Sequence, residues 1–441
     1  MKRAGGGGLG RRRPVVLIFT GFYLPGCNGG GPIRSIANLV AALKDEFDFR
    51  IVTSDRDLDG RSAYPGIRVD VWQAVEGARV FYLSPGPLRW WRIARLLRAG
   101  FFDLIYLNSF FSRAFSMLPV ALMWFRVFRP VPVVLAPRGE FSPGALAIKA
   151  SRKGCYLRLI KWVPWIYAKV FWHASSKYEK LDILSAIPRT ERVAIANPLV
   201  GSKVLVAPDL VAGSLPTSTC SVQQKIPGKL SVVFVSRISR MKNLNEALQI
   251  LAGVRGEVHF NIYGPLEDAA YWAECQELIS GLPANVKVAY QGELTHAQVA
   301  GVFKAHQLLL LPTCGENYGH VIVEALVAGC PVLISDQTPW RGLKAKGIGW
   351  DLPLGGREAF RQAIQECVGM DEAAYGVMTQ RVQAFGLSVI SDQTAIEQNR
   401  DMFFRLVSQD CPSLVAQGEI KAEHCAAVEV GECRKWPKSG G

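Results

Sequence analysis

What this 441-residue chain lacks narrows its class before anything it contains. Its ten cysteines never form a C-x-x-C pair, so the spacing of a zinc site is missing. A disulfide framework does not suit so long a chain, and several of the cysteines sit inside apolar runs. They read as buried, reduced thiols of a reducing compartment. The basic start MKRAGGGGLGRRRP runs into glycines rather than into the apolar stretch of a signal peptide. No apolar window has the length of a membrane-spanning helix: residues 114–128 contain Pro119 and have Arg113, Arg126 and Arg129 at or near their edges. These absences lead to the expectation of a soluble or peripheral cytoplasmic protein. Also missing are an evident nucleophile–base pair and any nucleic-acid-binding motif, and the glycine run Gly29–Gly31 does not spell G-x-G-x-x-G.

Acidic residues are scarce in the first half. Residues 1–200 hold 30 Lys and Arg against 13 Asp and Glu, whereas residues 201–441 hold 21 against 24. The net charge of +14 is therefore concentrated in one half, which fits a polyanionic partner, nucleic acid or anionic lipid. Hydrophobic residues at 49% and charged residues at 20% place the chain among globular proteins, and its length suits two domains.

From Pro14 onward, short apolar runs alternate with helical periodicity. The runs at 14–20, 49–54, 102–109 and 132–139 are continuous and end in polar or turn residues, as in strands buried on both faces of a parallel sheet. A helix-like stretch, Ile33 to Lys44, lies between them. The pattern stops near Asn197-Pro198 and restarts with runs at 229–236, 258–264, 286–292, 306–312 and 330–335, with helices near 243–252, 268–281, 296–305 and 319–329. The spacing predicts two doubly wound α/β domains, 14–198 and 229–385, joined by a Ser/Thr/Pro/Gly-rich linker at 199–228. Residues 386–408 are expected to form a helix packing back on the first domain. Residues 1–13 and 409–441 are expected to be a disordered basic start and a poorly ordered tail. In open sheets of this kind ligands bind beyond the carboxyl ends of the strands.

Two loops there carry the chemistry. In CGENYGHVIVEALVAGCPVLIS, Glu316 lies after a strand and Glu324 lies within the helix that begins near Gly319. The amides of Asn317, Tyr318 and Gly319 are placed to meet an anionic or hydroxyl-rich ligand, with one carboxylate on either side of the helix start. Solvated surface acids would be the plain alternative, but Glu324 interrupts an apolar stretch, where an unpartnered carboxylate is costly. In SRISRMKNL, Arg237 and Lys242 follow the first strand of the second domain. A guanidinium fork and a compact ammonium together suit a diphosphate.

This arrangement resembles glycosyltransferase family 4, the retaining group built on two Rossmann-like domains that face each other across a cleft (the GT-B architecture). The resemblance rests on Arg237, Lys242, Glu316-Asn317-Tyr318-Gly319, Glu324 and the strand entry Gly329-Cys330-Pro331-Val332, and extends over about residues 14–400. It implies that Arg237 and Lys242 stabilise a departing nucleotide diphosphate, that Glu316 and the amides after it hold the donor sugar, and that Glu324 binds the ribose. It also implies a front-face reaction in which the donor phosphate helps deprotonate the acceptor. No metal and no resident cofactor are then required, the nucleotide diphosphate sugar being a co-substrate. The stretch Asp55-Arg-Asp57-Leu-Asp59 reads as a solvated turn rather than a metal site.

In the first domain, Gly29 to Gly31 precede a helix carrying Pro32. Gly30 and Gly31 are placed by the resemblance against the donor phosphates, and Gly264, at a strand end of the second domain, joins them as a donor-binding candidate. Arg34, in the first turn, faces the same cleft or solvent. Where many relatives carry a histidine near the sugar, this chain has Asn108, which hydrogen-bonds but takes no proton at neutral pH. The segment 136–153 resembles a sub-branch found in bacterial polysaccharide assembly, which makes Arg138, Glu140 and Lys149 candidate contacts to acceptor or donor sugar, with a purely structural loop as the equal alternative. The runs 88–102 and 155–172 mix Trp, Leu and Ile with Arg and Lys, a composition suited to an anionic membrane surface, the plain alternative being ordinary buried helices with a basic exposed edge. The leading expectation is thus a retaining, metal-independent glycosyltransferase on the inner face of the cytoplasmic membrane. It would act on a lipid-linked glycan in exopolysaccharide, capsule or lipopolysaccharide assembly, and have no nucleic-acid partner. A nucleotide-sugar 2-epimerase of the same fold and a non-catalytic membrane adaptor are the alternatives.

Overall fold

A computed structural model of the protein describes residues 12–26, 29–57, 60, 62–148, 150–187, 203–211 and 224–410. Lys149, Asp59, nearly all of the expected disordered start and nearly all of the tail lie outside the described residues.

The first sheet contains β1 (Val15–Thr20), β2 (Asp48–Ser54), β3 (Trp72–Val75), β4 (Ala78–Leu83), β5 (Leu104–Asn108), β6 (Val133–Ala136), β7 (Val170–Ala174) and β8 (Val204–Val206), in the order β3-β4-β2-β1-β5-β6-β7-β8. Only β3 runs antiparallel, closing a hairpin with β4 through Glu76 and Gly77, both at positive φ. Its helices are α1 (Gly31–Leu43), α2 (Arg89–Ala99), α3 (Leu118–Trp124), α4 (Pro143–Ala147), α5 (Ala150–Trp162) and α6 (Lys177–Ala186). Alternation along β1 divides the core. Val15, Leu17 and Phe19 pack with α2, α3 and α5, whereas Val16 and Ile18 pack with α1.

The second sheet is wholly parallel: β9 (Lys229–Val235), β10 (Glu257–Tyr263), β11 (Val286–Tyr290), β12 (Leu308–Leu311), β13 (Val332–Ser335) and β14 (Gly349–Leu352), ordered β11-β10-β9-β12-β13-β14. Around it lie α7 (Leu244–Leu251), α8 (Ala269–Ser280), α9 (His296–Lys304), α10 (His320–Val327), α11 (Leu343–Lys346), α12 (Arg357–Gly369) and α13 (Glu372–Ile390). A last helix, α14 (Gln393–Asp410), buries Met402, Phe403, Leu406 and Val407 in the core of the first domain against α1. Each sheet reverses its strand order once, between β1 and β5 and between β9 and β12, and these two switch points open the crevices where ligands bind.

Three expectations change. The linker at 199–228 is in part structure: β8 extends the first sheet beyond β7, Asp209 is buried, and Lys225 is buried against the carbonyls of Ile226 and Lys229. The run 155–172 is not uniformly interfacial, because its end enters the buried strand β7. The boundary at 385 falls inside α13, which packs on α10 and runs on to Ile390. Among the described residues no helix is long and apolar enough to cross a membrane.

Candidate active site

The two switch points face each other across a cleft of about 620 Å³. Every site residue singled out above lines it except Lys149, which lies outside the described residues. The structure pairs their basic groups with acids.

Lys242, in the loop after β9, forms an ion pair with Glu316, in the loop after β12. Their side chains are only 13% and 11% exposed, so this is a shielded pair rather than a surface one. Arg237 reaches Glu267 at 2.8 Å and remains a third exposed. Gly30 has φ 66°, and a side chain there would begin 3.6 Å from Arg237 Nε, so the glycine loop of the first domain abuts the basic loop of the second. Neither Gly30 nor Gly319 caps its helix with a side chain. The amino ends of α1 and α10 both meet the cleft, bringing partial positive charge there.

Arg34 faces the cleft, not solvent: its Nη1 donates to Glu324 Oε1 at 2.8 Å, joining the two domains, and also contacts His296. Burial pushes the Glu324 carboxyl up, and the Arg34 charge opposes that shift. The cost anticipated for a carboxylate in this apolar helix is thus met by a cation 290 residues away.

Asn108 and Arg138 are turned toward each other. Arg138 sits at φ 56° with its side chain 5% exposed. Its Nε donates to Asn108 Oδ1 at 2.8 Å, its Nη2 to the Tyr106 hydroxyl at 2.8 Å, and its Nη1 to Asp209. A guanidinium has no acceptor, so the Asn108 amide oxygen must face it, which leaves the NH2 group pointing to Thr20 Oγ1 at 3.3 Å. Arg138 therefore braces the cleft floor instead of offering a free fork. Glu140 is likewise satisfied, accepting from Ser109 Oγ at 2.7 Å and from the Phe111 amide at 3.0 Å, while burial pushes its carboxyl up. Asn317 points into the first domain, with Oδ1 2.8 Å from Ser175 Oγ and Nδ2 3.2 Å from Asp209.

Asp209 is the residue that sequence reasoning missed. It collects Arg138, Ser35 Oγ at 2.7 Å and Asn317; the Arg138 charge above all, with the Ser35 hydrogen bond, holds its carboxyl below the usual range despite burial. His320 completes the knot, Nε2 standing 3.0 Å from Ser35 Oγ; burial holds its pKa down at about 4, so the ring is neutral. Nothing in the sequence around Asp209 signals this, because its partners are 71 to 174 residues distant. Asp55, at the end of β2, is tied to Arg56 at 2.8 Å and buried.

Gly264 has a structural reason to be glycine. At φ 138°, a Cβ would lie 1.9 Å from the Ser236 carbonyl, so the loops after β9 and β10 can meet only without it. Gly264→Ala is expected to cost ~1–3 kcal/mol or more and to lower the melting temperature of the second domain. An unchanged thermal unfolding curve would contradict this account.

Comparison with known proteins agrees with the two-domain fold. A model of the glycosyl transferase 4-like domain matches residues 30–192, and a model of glycosyl transferases group 1 matches residues 221–366. A 2-deoxystreptamine N-acetyl-D-glucosaminyltransferase of Niallia circulans is 24% identical over 249 residues, which is 54% of this chain and 61% of that relative. Among solved structures, sucrose-phosphate synthase from Thermosynechococcus elongatus superposes with a TM-score of 0.64 at 17% identity, covering 90% of this chain and 100% of that one. Anabaena HepE, in complex with UDP and glucose, gives 0.60 at 15% identity with 90% and 100% covered. The fold is the GT-B architecture of two facing Rossmann-like domains. The chain belongs to the group 1, family 4-type glycosyl transferases.

Proposed function

We propose that this chain is a retaining glycosyltransferase that moves a sugar from a nucleotide diphosphate donor to a glycan borne on a lipid. Its place would be cell-surface polysaccharide assembly at the inner face of the cytoplasmic membrane. The observation that carries the reading is the pairing of Lys242 with Glu316 beside two uncapped helix ends, all at facing switch points. In this reading the bond from the anomeric carbon to the diphosphate breaks, and its electrons leave with the diphosphate. The acceptor oxygen bonds the same face of that carbon, and its proton passes to a diphosphate oxygen. Arg237 and Lys242 stabilise the departing charge, a contribution a metal would otherwise make. Glu316 and the amides through Gly319 hold the sugar, Glu324 the ribose, and the glycine loop the phosphates. The UDP bound by the HepE neighbour supports a donor of this class.

The test is thermal stabilisation by UDP, GDP and their sugar conjugates without added metal. A nucleotide at about 100 times its dissociation constant should add roughly 2.7 kcal/mol of stability. A clear shift with one base supports the donor site and identifies the nucleotide. No shift with any of them favours the adaptor reading.

A further inference from the structure

We infer that the outer face of the α2–α3–α5 layer docks onto an anionic phospholipid bilayer by inserting aromatic side chains, with the cleft opening beside it. α2 packs on α3, α3 on the turn Pro164–Tyr167, and that turn on α5, so the layer is continuous. It covers one face of the first sheet, while α1 and α14 cover the other. Its outer side is covered by nothing in the chain's described residues and carries Trp90 and Trp91, Phe125 at 80% exposure, Trp162 at 87% and Trp165. Rings of this size each bury 150–250 Å² when covered, and left in water they forfeit that stabilisation. Trp and Tyr favour the headgroup zone, and Phe the acyl boundary below it.

The charge around these rings selects the lipid. Residues 77–178 carry 16 Lys and Arg but only two acids, Asp103 and Glu140. Glu140 is inside the cleft, and Asp103 is already held by Arg12 and Arg129. Arg95, Arg98, Arg158 and Lys161 remain to face an anionic leaflet. A soluble polyanion would satisfy the cations and leave Phe125 and Trp162 in water, whereas a bilayer takes both kinds of group.

The surface also adjoins the cleft in the chain. Ser112 lines the cleft and caps the turn Arg113–Met117, which runs straight into α3; Ser142 lines it and caps α4, which leads to α5. Delivery of a lipid-borne acceptor along this route rests on the function proposed above, but the docking itself does not.

The test uses the full chain with phosphatidylcholine vesicles, with and without phosphatidylglycerol, read by co-sedimentation and by quenching of tryptophan fluorescence with bromine-labelled acyl chains. Expected are binding that requires phosphatidylglycerol, quenching by the bromolipids, and a loss of partitioning of about tenfold or more in Phe125→Ser/Trp162→Ser. That variant should keep the thermal shift that the wild-type chain shows with UDP or GDP. Absent binding, binding without quenching, unchanged partitioning of the double variant, or equal competition by soluble polyphosphate would each overturn the proposal. Vesicle binding without any nucleotide shift would sink the enzymatic reading and leave the docking surface intact.

Discussion

Lys242→Ala is expected to lower turnover by ~10²–10³ while changing the apparent affinity for the donor much less, because in the proposed reaction it removes a charge that stabilises the departing diphosphate. In a shielded site that charge is not replaced by water at the moment of bond breaking. Glu316→Ala should also reduce turnover by orders of magnitude, by loosening the sugar and leaving Lys242 without its partner. The two effects should not add. Each single variant leaves one charge of the pair uncompensated in a nearly covered position, and the double variant relieves this. The measurement is kcat and KM for the nucleotide sugar in the two singles and the double, with melting temperatures beside them. Near-normal turnover in either single variant, with the fold intact, would remove that residue from the machinery.

Much of the architecture was legible for a simple reason. Strands covered on both faces by helices must be apolar throughout, and β1, β2, β5, β6, β9 and β12 read as such runs. The basic and acidic loops were legible because they follow those runs directly, where a doubly wound sheet opens its crevice. What failed to show were elements whose reason lies elsewhere in the chain. β8 is three residues long in a stretch without period, and it forms only because β7 offers an edge. β7 was hidden in a run whose Trp, Ile and Lys suggested an interface throughout. The hairpin β3–β4 turns on Glu76-Gly77, a less familiar pair than Asn-Gly for two positive φ angles. Within the site, residue types were readable and partners were not. Arg34 with Glu324, and Asn317 with Asp209, are contacts between domains, and local spacing carries no trace of them.

Asp209→Ala is expected to cost ~3–5 kcal/mol, since it strands the buried Arg138 guanidinium without its counter-ion, and Asp209→Asn should cost less. Because Asn317 also bonds Asp209, the loss should reach the donor loop and weaken nucleotide binding, whereas a purely local defect would lower stability alone. Acid should attack the same knot from two directions. Asp209 is held below the usual carboxylate range when folded, so its contribution is complete at neutral pH and is lost as pH falls through that lowered value. His173, on β7 with Nδ1 2.6 Å from the Tyr106 hydroxyl that Arg138 also meets, and His320 are held down at about 4 by burial, against an ordinary 6.5. Between those values the unfolded chain binds protons that the folded chain refuses, so stability must decline as pH drops from about 6.5 toward 4. The check is thermal unfolding of the wild-type chain, Asp209→Asn and the double variant His173→Gln/His320→Gln from pH 7.5 to 4.5, with the shift given by UDP and by GDP recorded at each step. A melting temperature flat across that range in the wild type would mean that the imidazoles are solvated rather than buried as described. A decline much reduced in the histidine variant would place the acid sensitivity in these two rings.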